Sequence, residues 1–589
     1  MCCPRRNLIF WLLFSLCLTS AAPVYPAELQ SIRITGNSAA SDREILDWLS
    51  VRTGAPFSEP SFRNNLRSVT DNLRRLGYLG AQAEIASMEF TADSAFVTVT
   101  IDINEGRRSV IGSITCAGQH ELTQQAILDQ FEVHAGDPLD QALLEQDLDA
   151  LITRYEKMGF PLARCEIQTL ESRPGDQADS LLLLLKIDEG RRVAINEIRV
   201  AGNRETKSSV VVRETRVTPG ELFNPAKVNA IRTRLNRLNI FSSVSEPELY
   251  MRGDTGGLLI TVQEGNTNTF DGIVGYVPAA ATGQSGYVTG LVSVGMRNLF
   301  GTGRKLSVRW QREDRYSQEL GFRYVEPWIF GAPVNVGGGF LQRQQDSSYV
   351  HRTIDGQADL MLSEELSTGV LVRSEDVIPS IDSTHVSTTR PSSILAIGAN
   401  LLYDTRNDLY NPTSGARYRI EYSYGNKTLT ADPSRTTASS GKSKVQKLLL
   451  DLEFYLTTFS RQVIAFGVHG YEVRGPEIQE SDMFRFGGAK TLRGYRENQF
   501  LGSRVAWTNA EYRFLLGRRS FLFGFLDTGY YNRPAQPEQN LPGEDGVKYG
   551  YGFGLRTDTP LGNIGVSFAL GQGDSFSQGK IHIGLINDF

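Results

Sequence analysis

Few residues of this chain stand at spacings that could do chemistry. The six histidines, His120, His134, His351, His385, His469 and His582, are scattered, and none lies at zinc-ligand spacing from another. There is no phosphate-cradling glycine loop, no dinucleotide fingerprint and no nucleophile elbow. The sequence therefore predicts no catalytic residue, no metal and no cofactor, and the chain does not read as an enzyme. The remaining chemistry is ionic. Arg493-Gly494-Tyr495 lies in FGGAKTLRGYRENQF, residues 486–500, a glycine-rich interruption between two segments of alternating polarity. An arginine on a loop that enters an enclosed lumen needs a carboxylate there, because a buried charge without a partner is costly. Asp527 in FGFLDTGY is the first candidate and Glu511 in NAEYRF the second. Gly494 offers backbone freedom at the loop tip and Tyr495 a packing surface.

The elements that must position these residues are strands. Five strand-like segments follow the loop, at about 503–514, 520–531, 547–558, 562–570 and 579–589, each alternating with period two. If they belong to a transmembrane barrel with a periplasmic C-terminus, the connections must alternate between short inside and long outside. LGRRS and DTPLGN are short, whereas NRPAQPEQNLPGEDG and GQGDSFSQG are longer and polar. That parity makes the Arg493 loop extracellular. The same alternation begins near residue 266, in segments such as KLSVRWQR, ARYRIEYSYG and KLLLDLEFYLTT. At roughly 20 residues per strand and connection, residues 266–589 hold about 16 antiparallel strands. The alternating end, Ile581, Ile583, Leu585 and the terminal Phe589, is the C-terminal signal of such barrels. A soluble sandwich of this length would be unusual, and no propeller blade period appears.

The first half is a threefold repeat. ELQSIRITGNSAASDREIL, VIGSITCAGQHELTQQAIL and AINEIRVAGNRETKSSVVV share one frame, with glycines at Gly36, Gly118 and Gly202 and again at Gly54, Gly136 and Gly220. The copies are spaced by 82 and then 84 residues at both glycines. Each continues into an amphipathic helical stretch and a strand pair that closes on INEG, IDEG or VQEG. The unit is β-α-α-β-β, α+β in class, with copies at 28–106, 107–190 and 191–265 ahead of the barrel at 266–589.

Residues 1–22 read as a secretory signal: Arg5 and Arg6, an apolar run from Leu8 to Leu18, then Ser20-Ala21-Ala22. Without the leader the balance is 59 basic against 66 acidic residues, which offers nothing for nucleic acid. Cys116 and Cys165 remain, and the sequence leaves open whether they pair in an oxidising compartment.

The threefold frame resembles POTRA domains, the periplasmic modules of the BamA/TamA family of outer-membrane assembly proteins. FGG followed by LRGY (Phe486 to Tyr495) is similar to the lumen-loop motif of that family and of two-partner secretion transporters. FGFLDTG, with Asp527, is similar to the strand motif that meets the loop arginine. VEPW (Val325 to Trp328) and YDTRNDLYNPTSG (Tyr403 to Gly415) also stand where the family carries such elements. Three repeats match the TamA-like layout, against five usual in BamA and two in secretion transporters. The resemblance implies an outer-membrane barrel with its POTRA domains in the periplasm. These would receive unfolded outer-membrane protein precursors by strand addition. A weakly paired seam between first and last strands would pass them into outer-membrane lipids thinned beside it. Accessory lipoproteins or a TamB-like periplasmic partner are implied as helpers. The alternative reading is a translocation pore of the two-partner type or a TamA-like translocation module.

Overall fold

The structure is a computed structural model that describes residues 27–253, 255–277, 286–346, 348–379, 389–409, 411–430, 441–517, 520–536, 542–559 and 562–585. The expected leader, residues 1–22, and Phe589 lie outside the described residues. The chain divides into two compact units, one holding the first two repeats and the other the third repeat with the barrel. Among the described residues, no helix is long and apolar enough to cross a membrane.

In the first repeat, helix Glu59–Arg75 buries Phe62, Leu66, Val69 and Leu73, one stripe at helical spacing. The stripe packs on Val97, Val99, Ile101 and Ile103, the inward residues of strand Phe96–Asn104. That strand is central, with Glu28–Thr35 parallel on one side and Gln82–Phe90 antiparallel on the other. The second repeat repeats the arrangement around Asp179–Asp188, flanked by Ser109–Ala117 and Arg164–Arg173. The third departs from it. Its antiparallel partner is broken into Phe241–Val244 and Glu248–Arg252, both paired with Thr255–Glu264. Pro247 sits at the break, where a residue without an N–H interrupts a ladder.

The repeated residues have a common cause. Gly36, Gly118 and Gly202 all have φ between +81° and +91°. A Cβ on them would stand 2.1, 2.3 and 1.9 Å from the carbonyl oxygens of Ile103, Ile187 and Val262. The turn after each first strand therefore lies directly on the central strand, which only glycine allows. The glutamate before each closing glycine staples that same turn. Glu105 accepts from the backbone N–H groups of Ser38 and Ala39 at 2.6 and 2.8 Å. Glu189 accepts from His120 and Glu121 at 2.8 and 2.9 Å, and from the Tyr155 hydroxyl at 2.9 Å. Glu264 accepts from Arg204, Glu205 and Thr206.

Burial alone would raise these carboxyls, but the hydrogen bonds outweigh it and hold all three low, Glu264 at about 2. A group depressed in this way contributes fully above the ordinary carboxylate pKa of about 4.3, and its contribution is lost as pH falls through the folded value. The third repeat should therefore lose stability between about pH 4.3 and about pH 2. Glu264→Gln should flatten that slope and cost about 2 kcal/mol at neutral pH. Hydrogen exchange of the repeat across this range measures both, and an unchanged slope in the variant would assign it to another carboxylate.

Cys116 and Cys165 are free thiols. They lie on the two strands that flank Asp179–Asp188, opposite Leu185 and Ile187. Two strand spacings put their backbones about 10 Å apart, beyond the roughly 7 Å a disulfide can span. The pairing left open above is therefore not made. Burial pushes the Cys165 thiol up to about 11.

Among the described residues, the remainder forms one antiparallel sheet of sixteen strands in sequence order, from Asn268–Val277 to Lys580–Leu585, with the short pair Phe484–Phe486 and Phe500–Gly502 outside it. Side chains alternate across the wall. On Ser392–Asp404, Ile394 and Ala396 are buried, while Leu395 and Ile397 are exposed on the lipid side. At the terminal strand, Ile581 is exposed, and Ile583 and Leu585 pair with Val566 and Ile564.

Candidate functional site

The connection 475–503 joins neighbouring strands Gln462–Arg474 and Arg504–Leu515. It folds onto the lumen side of the strands that follow. The inward positions of strand Phe521–Arg533 are Phe521, Phe523, Phe525 and Asp527, all buried. Aromatic side chains are stable there because the loop covers that side of the wall. Phe486, Leu492 and Tyr495 from the loop form one apolar cluster with Val505, Trp507 and Tyr531 from the wall.

Within this cover sits the charge constellation. Arg493 Nε and Nη2 donate to the two oxygens of Asp527 at 2.7 Å each, and the Arg493 backbone N–H donates to Asp527 Oδ2 at 3.0 Å. Nη1 donates to Glu511 Oε1 at 2.7 Å. The guanidinium lies 3.7 Å from the ring centroid of Phe525, a desolvated cation–π contact. Arg513 Nε in turn donates to the second Glu511 oxygen at 2.8 Å. Two cations and two carboxylates thus alternate in a neutral chain. Asp527 is fully buried and Arg493 is 6% exposed, so the bidentate geometry is what offsets the cost of drying four charges.

The loop then crosses the remaining wall residue by residue. The Arg493 carbonyl rests on strand Glu544–Thr559 at Gly550, where a Cβ would be 1.9 Å away. Gly494, at φ +94°, packs on Leu570 and Gly571, where its own Cβ would meet backbone at 2.7 Å. Its N–H donates to His582 Nε2 at 3.1 Å. The Tyr495 hydroxyl donates to the Tyr549 carbonyl and accepts from the Gln572 N–H, both at 3.0 Å.

The structure therefore brings Arg493, Gly494, Tyr495, Asp527 and Glu511 into one place. Sequence reading did not find Arg513, Gly550 or His582. It also missed a second anchor of the loop, the buried ion pair of Lys427 on strand Gly415–Leu429 with Asp482. Lys427 also donates to the Glu477 carbonyl at 3.0 Å. No spacing rule links residues so far apart in the chain. The glutamate before each repeat's closing glycine was legible as a recurring letter but not as a staple.

The other two motif stretches lie on the periplasmic side, against the third repeat. Trp328 of VEPW donates from Nε1 to Glu214 Oε1 at 2.7 Å, while Glu326 holds Arg304 at 2.7 Å. Asp404 of the second stretch pairs with Arg406 at 2.8 Å and accepts at its carbonyl from Arg237 at 2.8 Å. Arg234 adds Glu364 at 2.7 Å, and Lys207 N–H donates to the Gly301 carbonyl at 2.8 Å. Four successive inner turns of the barrel are thereby bonded to the third repeat.

Repeats of this kind joined to a sixteen-stranded wall whose lumen holds an ion-locked loop define a POTRA-bearing transmembrane β-barrel. Family models agree along nearly the whole chain. The Omp85 superfamily domain matches residues 298–589, and the surface antigen variable number repeat, the POTRA module, matches 27–106, 109–190 and 193–265. The chain belongs to the Omp85 superfamily, and is an outer-membrane protein with its POTRA repeats in the periplasm. It is 24% identical over 602 residues to the outer membrane protein assembly factor BamA of Nitratidesulfovibrio vulgaris, covering 94% of this chain and 72% of that protein. It is 24% identical over 326 residues to BamA of Neisseria meningitidis, covering 53% of this chain but only 39% of the relative's length. Among solved structures, BamA from Haemophilus ducreyi lacking POTRA domains 1–3 aligns at TM-score 0.48 and 16% identity, over 80% of this chain and 98% of that one. BamA-family assembly factors are generally not enzymes.

Proposed function

We propose that this protein is an outer-membrane protein assembly factor, which receives unfolded β-barrel precursors on its POTRA domains and inserts them through its barrel seam. The observation that carries the reading is the free side of the POTRA sheets. Strand Arg164–Arg173 lies at the edge of its sheet and is exposed along nearly its whole length, with Ile167 and Leu170 among its outward residues. An edge of this kind can add an extended segment by backbone hydrogen bonds, with apolar side chains giving further contact. Two relatives that carry the assembly-factor name support it. Work comes from binding and membrane deformation, with no covalent step assigned to any residue. Unfolded precursors and outer-membrane lipids are the partners, and accessory lipoproteins or a TamB-like periplasmic protein would assist.

Depletion followed by quantitative proteomics of the outer membrane tests it. Broad loss of barrel proteins with loss of viability is the outcome expected of a general insertase. Loss of only a few, with viability kept, identifies a TamA-like specialist or a dedicated secretion pore. No change in any barrel protein would overturn the assembly reading.

A further inference from the structure

The luminal loop ends its path across the wall on the terminal strand, through Gly494 N–H and the His582 ring. That contact has a direction. A backbone N–H can only donate, so His582 Nε2 must carry a lone pair, which requires a neutral imidazole protonated on Nδ1. In the imidazolium both nitrogens donate, and the Gly494 N–H would face another N–H. The charged groups around the ring are Arg493 from the loop, Lys580 from its own strand and Asp527 from strand Phe521–Arg533. Asp527, the carboxylate among them, is already engaged by Arg493, and Lys580 is held by Asp574. A second cation beside Arg493 would meet repulsion without a partner.

We propose that His582 is a positioning residue that couples the terminal strand to the luminal loop, holding the two together while its ring is neutral and releasing them when it is protonated. Its functional meaning rests on the assembly reading, in which an incoming strand pairs at the seam where the terminal strand lies. The coupling itself does not need that reading.

The test uses the full-length protein in phospholipid vesicles. Hydrogen-exchange protection factors of segments 487–496 and 580–585 are measured at about pH 8 and about pH 4, above and well below ordinary imidazole titration. In the wild type both segments should lose protection by roughly 5-fold in acid, the scale of one neutral hydrogen bond. His582→Gln, whose amide oxygen accepts at either pH, should keep protection at both. His582→Leu should lack it at both. Equal wild-type protection at the two pH values overturns the proposal, as does an acid loss in His582→Gln equal to that of the wild type. If His582→Leu does not fold, the comparison of wild type with His582→Gln decides alone. Insertion of an unfolded barrel protein is followed in the same vesicles. Protection that responds to pH without any insertion sinks the assembly reading and leaves the coupling. Insertion with unresponsive protection sinks the coupling alone.

Discussion

Arg493→Ala is expected to free the 475–503 loop from the lumen and to destabilise the barrel by about 3–5 kcal/mol, the scale of breaking a buried ion pair from one side. The cost arises mainly from what is left behind. Asp527, without exposed surface, would keep the backbone N–H of residue 493 as its donor among the described contacts, and Glu511 would keep Arg513 as its hydrogen-bonded cation, with Arg556 acting from farther off. Asp527→Ala should give the same phenotype, since it strands the guanidinium over Phe525 with one carboxylate in place of two. The double variant should cost clearly less than the sum of the singles, because neither charge is then orphaned. Protease sensitivity of the loop and the temperature at which the barrel unfolds in detergent gels measure the effect. Outer-membrane protein levels in cells carrying each variant show whether the lock matters for assembly. Variants that resist protease and assemble barrels as the wild type does would remove this role from Arg493.

Gly550→Ala should produce the same loop release with every charge intact. Its methyl carbon would stand 1.9 Å from the Arg493 carbonyl oxygen and 3.4 Å from that of Leu570. Both are backbone atoms and cannot swing aside, so loop or strand must move, at about 1–3 kcal/mol. Gly470→Ala, on strand Gln462–Arg474 with nothing within 4 Å of the added carbon, is the matched control and should be neutral or nearly so. Agreement between Gly550→Ala and Arg493→Ala in the protease assay would tie the phenotype to the position of the loop rather than to the arginine's charge. A Gly550→Ala protein with a protected loop would show that the wall can yield there.

The same contrast separates what each level of description decides. The architecture is legible in the order of residues, because helices and strands write their periods locally. The stripe of Phe62, Leu66, Val69 and Leu73, the alternation of Ile394 and Ile397 about the wall, and the glycine frame repeating at 82 and 84 residues all follow from neighbours within one element or one repeat. The sequence also named Arg493, Asp527 and Glu511, because a cation on a loop implies a carboxylate and few lie nearby in the chain. The tertiary structure alone decided register and cross-chain contact. Lys427 and Asp482 meet across 55 positions, Gly550 leaves room for a carbonyl 57 positions earlier, and Gly494 finds the ring of His582 across 88. In a barrel, which residues face one another is set by strand register, and a shift of one residue sends every side chain to the other face. The unpaired Cys116 and Cys165 teach the same lesson: their residue type allowed a bond, and the strand that runs between them keeps them apart.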